Sequence, residues 1–300
     1  MAVITTSPAP RRGKGRRVDD MGNQVVGRTR IGGFLANTAG IIIAIVMVFP
    51  AYWMINTAFK PANEILTFEP HFFPQHPTFD NVISAIKAPN FLLDLRNGLI
   101  ITVLATVSAI VVGFLGALAI ARFRFYGRKA LIVVILMVQM VPFVALLIPV
   151  FLLLNAVELT NTLIGITTVY MVLFLPYTIW TLRGFIANIP RELDEAALVD
   201  GCSRWQTFYR VILPLTGPGL VATSIYGFIQ AWNEFIIIQT VNRPDHQNLM
   251  AWLVSNQTSR GTFWGPMMAS ALITSIPVVV FFLVIQRNIA AGLTAGAVKG

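Results

Sequence analysis

The chain has 300 residues, of which 56% are hydrophobic and only 12% charged, and its mean hydropathy is +0.71. Soluble globular proteins carry about 25% charged residues, so this composition excludes that class and indicates a membrane protein. The formal net charge of +9 does not indicate nucleic-acid binding, because the basic residues follow a membrane-topology pattern described below.

Residues 1–30 are rich in Arg, Gly and Ser/Thr, which predicts a disordered basic tail on the cytoplasmic side. Six apolar segments follow, each long enough for the roughly 20 residues of a spanning helix. They are Gly33–Phe59, Asn97–Ala121, Ala130–Leu154, Leu163–Arg183, Gly217–Thr240 and Pro266–Gln286. The predicted fold class is an all-α membrane protein with six transmembrane helices. Membrane β-strands would be about ten residues long and strictly alternating, which these segments are not.

The basic residues predict the topology of the six spans. With the N-terminus inside, the cytoplasmic side receives seven basic residues from the tail, four from Arg122–Lys129, four from Arg183–Arg210 and two after the last span. Only five remain on the other side. This asymmetry follows the positive-inside rule and predicts that both termini are cytoplasmic. The single cysteine, Cys202, then faces a reducing compartment and cannot form an internal disulfide.

The segments between the spans give further expectations. The external segment 60–96 is rich in proline, which predicts an extended loop with a short helix. The external segment 242–265 predicts an interfacial helix or lid. The first apolar segment is longer than a secretory signal core, so we expect it to be retained as a span. Within the second span a stripe of small residues predicts close helix packing: Ala109, Gly113, Ala117 and Ala121.

The charged segment Pro190–Pro214, here called the 190–214 loop, separates the fourth and fifth spans. Pro190 suits a helix start, and acidic residues follow it in the first turns. Gly201 interrupts this helix, and Ser203 with Gln206 forms a capping-box pattern that starts a second one. Pro214 is expected to end the second helix. On pattern alone, a helix lying on the bilayer is an equal alternative to a docking element.

Two parts of the sequence resemble the membrane subunits of ABC importers. Glu195-Ala196-Ala197, followed by Gly201 and by Val211-x-Leu213-Pro214, is similar to the "EAA" loop of these permeases, which usually has Ile at the position of Val211. The segment Gly292–Gly300 resembles the end of the shorter permease subunit of the maltose-type sugar transporters.

The resemblance implies a domain layout, a coupling site and a set of partners. Residues 31–300 would form the permease domain, and the 190–214 loop would form a coupling helix that docks into a cytoplasmic ATPase. The implied coupling residues are Glu195, Ala196, Ala197, Asp200, Gly201, Leu213 and Pro214. The implied partners are a second homologous permease subunit, an ABC ATPase dimer, an extracytoplasmic sugar-binding protein and the lipid bilayer, with no nucleic acid.

Catalytic signatures are missing from the sequence. It has no GxxxxGK[ST] phosphate loop, no HExxH and no GxSxG. We therefore expect no enzyme activity, no metal and no cofactor on this chain, with ATP-Mg bound by the partner ATPase. The three histidines, His71, His76 and His246, are expected to be solvated loop residues.

Polar residues inside the spans are candidates for a substrate path, because hydrocarbon does not tolerate them without partners. They are Gln139, Tyr226, Gln230, Asn233 and Glu234. Trp232 accompanies them, and amides, a carboxylate and aromatic rings suit a sugar. The alternatives are hydrogen bonding between helices for the amides and an interfacial position for Trp232.

The sequence thus predicts the permease subunit of an ATP-driven ABC importer for a di- or oligosaccharide, in the plasma (inner) membrane of a bacterium or archaeon. Coupling would pass through Glu195–Gly201. An ion- or proton-driven secondary transporter is the alternative, although an intramembrane ion relay and an inverted repeat are not visible. A membrane enzyme lacks a catalytic set, and a scaffold has no reason to carry the coupling motif. Which sugar is carried is left open.

Overall fold

The structure, a computed structural model, describes residues 30–255, 257–258 and 261–297, with side chains described for 34–254 and 261–286. The predicted disordered tail lies outside the described residues except for Arg30, and so does the end of the C-terminal segment, 298–300.

Helices make up most of this part of the chain. The long ones are α1 (Arg30–Ala58), α4 (Phe91–Arg122), α7 (Leu163–Ala187), α11 (Gly217–Asn233) and α14 (Trp264–Ala297). The shorter ones are α2 (Ala62–Ile65), α3 (Asp80–Ile86), α5 (Arg128–Val138), α6 (Leu147–Ala156), α8 (Arg191–Val199), α9 (Arg204–Thr207), α10 (Leu213–Leu215), α12 (Ile236–Val241) and α13 (Leu249–Ser255). Strands β1 (Gln257–Thr258) and β2 (Gly261–Thr262) pair as an antiparallel hairpin.

Four described helices are long and apolar enough to cross a membrane, and the number rises to six if each of two bent helix pairs is one span. The third predicted span is one of these pairs: Arg128–Val138 and Phe143–Ala156 meet at 96°. Pro142 lies at the bend with an extended backbone (φ −60°, ψ 119°). Proline lacks an N–H and disfavours a helical residue before it, so the helix has to end there.

The bundle is centred on the contact between α4 and α7, and the predicted small-residue stripe forms the α4 side of it. Ala109, Gly113, Ala117 and Ala121 are all buried. A Cβ atom placed on Gly113 would lie 2.6 Å from Cγ2 of Thr178, a residue that is only 1% exposed. The two backbones therefore approach as closely as a glycine permits, as the stripe predicts.

Gly113→Ala is expected to destabilise the α4–α7 contact by about 1–3 kcal/mol, because the added methyl group overpacks against a threonine that cannot move away. Gly116→Ala, one turn along the same helix, is the matched control. Its Cβ would meet side-chain carbons of Ile179 at 3.4 Å, so it should be neutral or stabilising by up to about 1 kcal/mol from helix propensity. Thermal unfolding of the purified proteins measures both, and equal midpoints for the two variants would contradict the packing argument.

Segments 60–96 and 242–265 both contain short helices, as predicted, but the first segment is shorter than predicted because α4 begins earlier. Segment 60–96 folds around two buried charged side chains. The carboxylate of Glu64 accepts hydrogen bonds from the backbone N–H groups of Gln75 and His76, and Lys60 Nζ donates to the carbonyl oxygen of His71 at 2.5 Å. Helix α4 begins at Phe91 and not at residue 97.

The earlier start of α4 places Asp94 inside this helix, where it is 3% exposed. The predicted second span, Asn97–Ala121, left this carboxylate in the segment before it, so the predicted start of that span is wrong. The helix starts early because Asn90 adopts a left-handed conformation (φ 65°), which turns the chain directly into α4. Asparagine is one of the few residues that tolerates this region.

Candidate coupling site and transport path

The first helix of the 190–214 loop has well-defined ends. Pro190 has an extended backbone and precedes the first helical residue, Arg191. At the other end, the N–H of Gly201 donates to the carbonyl of Leu198 at 3.1 Å, and the N–H of Cys202 donates to that of Ala197 at 2.9 Å. This pair of bonds is a Schellman motif, which requires a left-handed residue at Gly201 (φ +84°). Gly201 therefore ends this helix because glycine adopts the left-handed backbone conformation without strain.

The second helix begins with the predicted capping box. Ser203 Oγ accepts from the backbone N–H of Gln206 at 3.2 Å, and Gln206 Oε1 accepts from the backbone N–H of Ser203 at 2.7 Å. The two side chains satisfy the N–H groups that a helix start leaves without partners. The turn between α8 and α9 is consequently rigid at both of its ends.

The second helix ends at Leu215, one residue after Pro214 and close to its predicted end. The chain stays helical from α9 through a π-helical turn, Phe208–Ile212, into α10, and bends by 71° only at Thr216 before α11. Pro214 lies in the first turn of α10, where its missing N–H is tolerated. The wider π turn before it is the kind of local adjustment that a helix makes around an inserted residue or a proline.

A cationic side chain at the end of α4 holds the 190–214 loop. Arg122 Nε lies 2.9 Å from Asp194 Oδ2, an ionic contact without hydrogen-bond geometry, and Arg122 Nη2 donates to Asp194 Oδ1 at 3.4 Å. Arg122 Nη1 also donates to the carbonyl of Ile189 at 3.1 Å. Arg191 reaches back to the last carbonyls of α4, those of Ala121 and Arg122. The two arginines, one from each helix, therefore hold the start of α8 to the end of α4.

Burial raises the pKa of Asp194 above its ordinary value, and the charges of Arg122 and Arg191 oppose that shift. An apolar cluster lies beneath the ion pair and joins α4, α7 and the π turn. Its members include Phe114, Ala117, Leu182, Ile186 and Ile212. The loop is thus seated on the bundle by packing as well as by charge.

Asp194→Ala is expected to destabilise the protein by about 1–3 kcal/mol, because Arg122, whose side chain is 9% exposed, would lose its carboxylate partner. Glu192→Ala is the matched control. Glu192 lies in the same first turn, so it has the same relation to the helix dipole, but it is exposed and its side chain makes no hydrogen bond or ion pair with the described residues. The two thermal midpoints measure the difference. If Glu192→Ala lowered the midpoint as much as Asp194→Ala, the ion pair would not be what fixes the loop.

The predicted coupling residues differ in exposure. Ala197 is 8% exposed and packs within the chain, so of the three small residues only Ala196 and Gly201 present an open surface. A Cβ at Gly201 would meet nothing within 4 Å. The remaining members are exposed except for Leu213, which is half-buried: Glu195, Asp200 and Pro214.

Two apolar side chains next to Gly201 were missed by the sequence reasoning. Val199 is 87% exposed and Trp205 is 63% exposed, on either side of the turn. Large exposed apolar groups around a rigid turn are typical of a contact surface. The available signal was the placement of Val199 and Trp205 on either side of the Asp200–Ser203 turn. The ring of Trp205 stacks on that of Phe208 at 4.7 Å, and most of it is still exposed.

The predicted path residues on α11 share one face. Tyr226, Gln230 and Asn233 are spaced by four and three residues, which aligns them along a helix. Gln230 and Asn233 are exposed, and the ring of Tyr226 stacks on that of Tyr177 at 3.8 Å. Gln139 lies at the end of α5, next to the bend of the third apolar segment, and is exposed.

Glu234 and Trp232 have partners within the chain. Glu234 Oε2 accepts from the hydroxyl of Tyr170 at 2.5 Å, and its Oε1 accepts from the backbone N–H of Ile237 at 3.0 Å. Glu234 thereby joins α7 to the break between α11 and α12. Trp232 is 3% exposed and donates from Nε1 to the carbonyl of Thr274 at 2.9 Å, so it packs between helices and does not offer its ring to a substrate.

These features define a polytopic helical membrane protein that carries a rigid two-helix loop between its fourth and fifth apolar segments. Residues 109–295 match the family model described as "Binding-protein-dependent transport system inner membrane component". The chain belongs to this family, which confirms the resemblance to ABC importer permeases.

Individual relatives agree with the family assignment. The chain is 43% identical to the diacetylchitobiose uptake system permease protein DasC of Streptomyces coelicolor over 91% of this chain and 99% of that protein. It is 35% identical to the trehalose transport system permease protein SugB of Mycobacterium tuberculosis over 84% of this chain and 93% of that protein. A bacterial ABC transporter that imports the polysaccharide alginate shares the fold, with a TM-score of 0.73 at 20% identity over 86% of this chain and 96% of that one.

Proposed function

We propose that this chain is a permease subunit of an ATP-driven importer for a di- or oligosaccharide. The observation that carries the proposal is the rigid, exposed turn around Gly201, within an EAA-type sequence and fixed to α4 by Arg122. A secondary transporter has no ATPase subunit and would have no use for such a docking surface. The chain itself would bind no cofactor, since ATP-Mg belongs to the partner ATPase.

The proposed topology has six spans with both termini in the cytoplasm of a bacterial or archaeal cell. Counting each bent pair as one span gives this number, and the excess of basic residues in the tail and in the two loops 122–129 and 183–210 orients it. On this topology the 190–214 loop lies in the cytoplasm, on the side where an ATPase would dock.

The mechanism follows from the contacts of the loop. Closure of an ATPase dimer would push on the surface around Val199, Gly201 and Trp205. Because α8 is held to α4 by the Arg122–Asp194 pair, and the π turn leads directly into α11 through a bend, the push would tilt both α4 and α11. Ligand-driven rocking of packed helices is a familiar form of two-state change.

The polar face of α11 is the proposed sugar path. Gln230 and Asn233 offer amide donors and acceptors, and the stacked pair of Tyr226 and Tyr177 offers an apolar ring surface. Gln139 would line the path at the bend of the third segment, and Glu234 would anchor its outer end. A second, homologous permease subunit would close the other side, and an extracytoplasmic binding protein would deliver the sugar.

Uptake tests the proposal directly. The relative that is 43% identical is named for diacetylchitobiose, so labelled N,N′-diacetylchitobiose is the first sugar to use, with trehalose and maltose beside it. We expect the assembled complex in proteoliposomes to accumulate a sugar only when ATP and the binding protein are supplied. Accumulation driven by a proton or sodium gradient without ATP would favour the secondary transporter instead.

A further inference from the structure

A cavity of about 410 Å³ lies at the start of α4, facing the segment that joins α12 to α13. It is separate from the polar face of α11 and from the 190–214 loop. On the proposed topology it opens on the extracytoplasmic side, and it is here called the outer cavity. Polar groups and one indole ring contribute to its wall: Asn90, Asp94, Gln239, Gln247 and Trp252.

Asp94 is the unusual member of this wall. It is 3% exposed, and its carboxylate has no hydrogen bond or ion pair with any described residue. Gln247 shows a milder form of the same pattern, since its amide nitrogen donates to backbone carbonyls while its buried Oε1 has no donor. A buried acceptor without a donor is costly, and a buried carboxylate is the most costly kind. Two such acceptors at one cavity indicate that a ligand supplies the missing donors.

The required ligand is rich in hydroxyl groups. Hydroxyls donate to a carboxylate and to amide oxygens, while the amides of Asn90 and Gln239 can donate in return. Trp252 provides an apolar wall, and its orientation is fixed by an edge-on contact with Phe91 at 5.4 Å between ring centroids. A divalent cation fits less well, because Asp94 is the only carboxylate that lines this cavity and no group of three His, Cys, Asp or Glu side chains occurs among the residues described.

We propose that the outer cavity is a sugar-binding subsite that holds one or two rings on the way into the membrane, with Asp94 as the residue that accepts the sugar hydroxyls. Its volume lies within the roughly 300–1,000 Å³ of small-molecule sites. The proposal rests on the proposed function. It adds an extracytoplasmic contact made by this subunit before the sugar reaches the α11 face.

Direct binding tests the subsite. The complete importer is placed in nanodiscs without binding protein and titrated with N,N′-diacetylchitobiose, trehalose and maltose, and saturation-transfer NMR reports binding. We expect Asp94→Asn to weaken binding of the favoured sugar by about tenfold or more, because a charged acceptor is replaced by a neutral amide and one acceptor oxygen becomes a donor. Asp245→Asn is the matched control, since Asp245 is exposed on the segment that joins α12 to α13 but does not line the cavity. It should bind as the wild type does.

Stability provides a second readout that a purely structural carboxylate would not give. Asp94→Asn removes a buried charge without a partner, so its thermal midpoint should be equal to or above that of the wild type while sugar binding falls. If the variant does not assemble, Gln239→Ala on the exposed wall replaces it, with weaker binding expected.

Several outcomes would overturn the subsite. One is equal sugar affinity for Asp94→Asn and wild type, and another is no sugar binding by the wild type. A third would appear when the binding protein is added: if Asp94→Asn lost its docking while sugar binding stayed intact, the cavity would belong to a cationic side chain of that protein. Labelled-sugar uptake by the same wild-type importer, reconstituted in proteoliposomes with ATP and the binding protein, separates these results from a failure of the transport proposal itself.

Discussion

Gly201→Trp is expected to abolish co-purification of the ATPase and ATP-driven sugar uptake, while the chain still inserts into the membrane. The glycine sits at the tip of the 190–214 loop, where a Cβ meets nothing within this chain. An indole there would occupy space that a docked partner needs. The measurements are the amount of ATPase retained on the tagged importer and the initial rate of uptake.

The difficulty with substituting Gly201 is its left-handed backbone (φ +84°), which strains most other residue types, tryptophan included, by about 1–2 kcal/mol. Gly127 provides a control with the same strain. It has φ +85°, a Cβ there would also meet nothing within 4 Å, and it precedes α5 in the loop that follows α4. Gly127→Trp should therefore keep the ATPase and at least half of the uptake. Equal loss in both variants would mean that backbone strain, and not docking, causes the defect.

The parts of the fold that the sequence predicts well depend on local signals. The capping box of Ser203 and Gln206 needs only the spacing of two residues, and the stop at Gly201 needs only a residue that accepts a left-handed backbone. The small-residue stripe on α4 is likewise a spacing of four within one helix. Such features can be predicted because the interacting atoms lie within a turn or two of each other.

The parts that were missed depend on distant residues or on the exact place where a helix begins. Arg122 and Asp194 are 72 positions apart, and nothing near either residue indicates the other. Asp94 was assigned to a loop because it lies three residues inside a helix whose start depends on the left-handed Asn90. The π turn Phe208–Ile212, which precedes Pro214, was not predicted either. Tertiary packing determines these features, and the spacing of apolar residues along the sequence carries no information about them.

Glu234 illustrates how the structure changes the meaning of a predicted site residue. The sequence marks it as a charge on a sugar path, while the structure gives its carboxylate two hydrogen bonds within the chain and its backbone carbonyl a third. It accepts from the buried hydroxyl of Tyr170, it caps the start of α12 through Ile237, and its backbone carbonyl accepts from Asn248 Nδ2 at 2.7 Å. These bonds hold the break between α11 and α12 open beside the exposed amide of Asn233.

Glu234→Ala should therefore destabilise the protein by about 2–4 kcal/mol, combining a lost helix cap with a buried tyrosine hydroxyl that has no acceptor. Glu234→Gln keeps an acceptor oxygen at the same place and should cost less than about 1 kcal/mol. Tyr170→Phe removes only the donor and should fall between them. Thermal unfolding of the three purified variants measures this order.

Sugar uptake by the same variants separates an anchor from a sugar contact. If Glu234 anchors the wall, uptake will follow stability, so Glu234→Gln will transport nearly as well as the wild type and Glu234→Ala poorly. If the carboxylate binds the sugar, the charge itself matters, and Glu234→Gln will lose uptake while its unfolding midpoint stays unchanged. The hydrogen bonds to Tyr170 and Ile237 occupy both carboxylate oxygens. We therefore expect the first result, which leaves Gln230 and Asn233 as the groups on α11 that are free to meet a sugar.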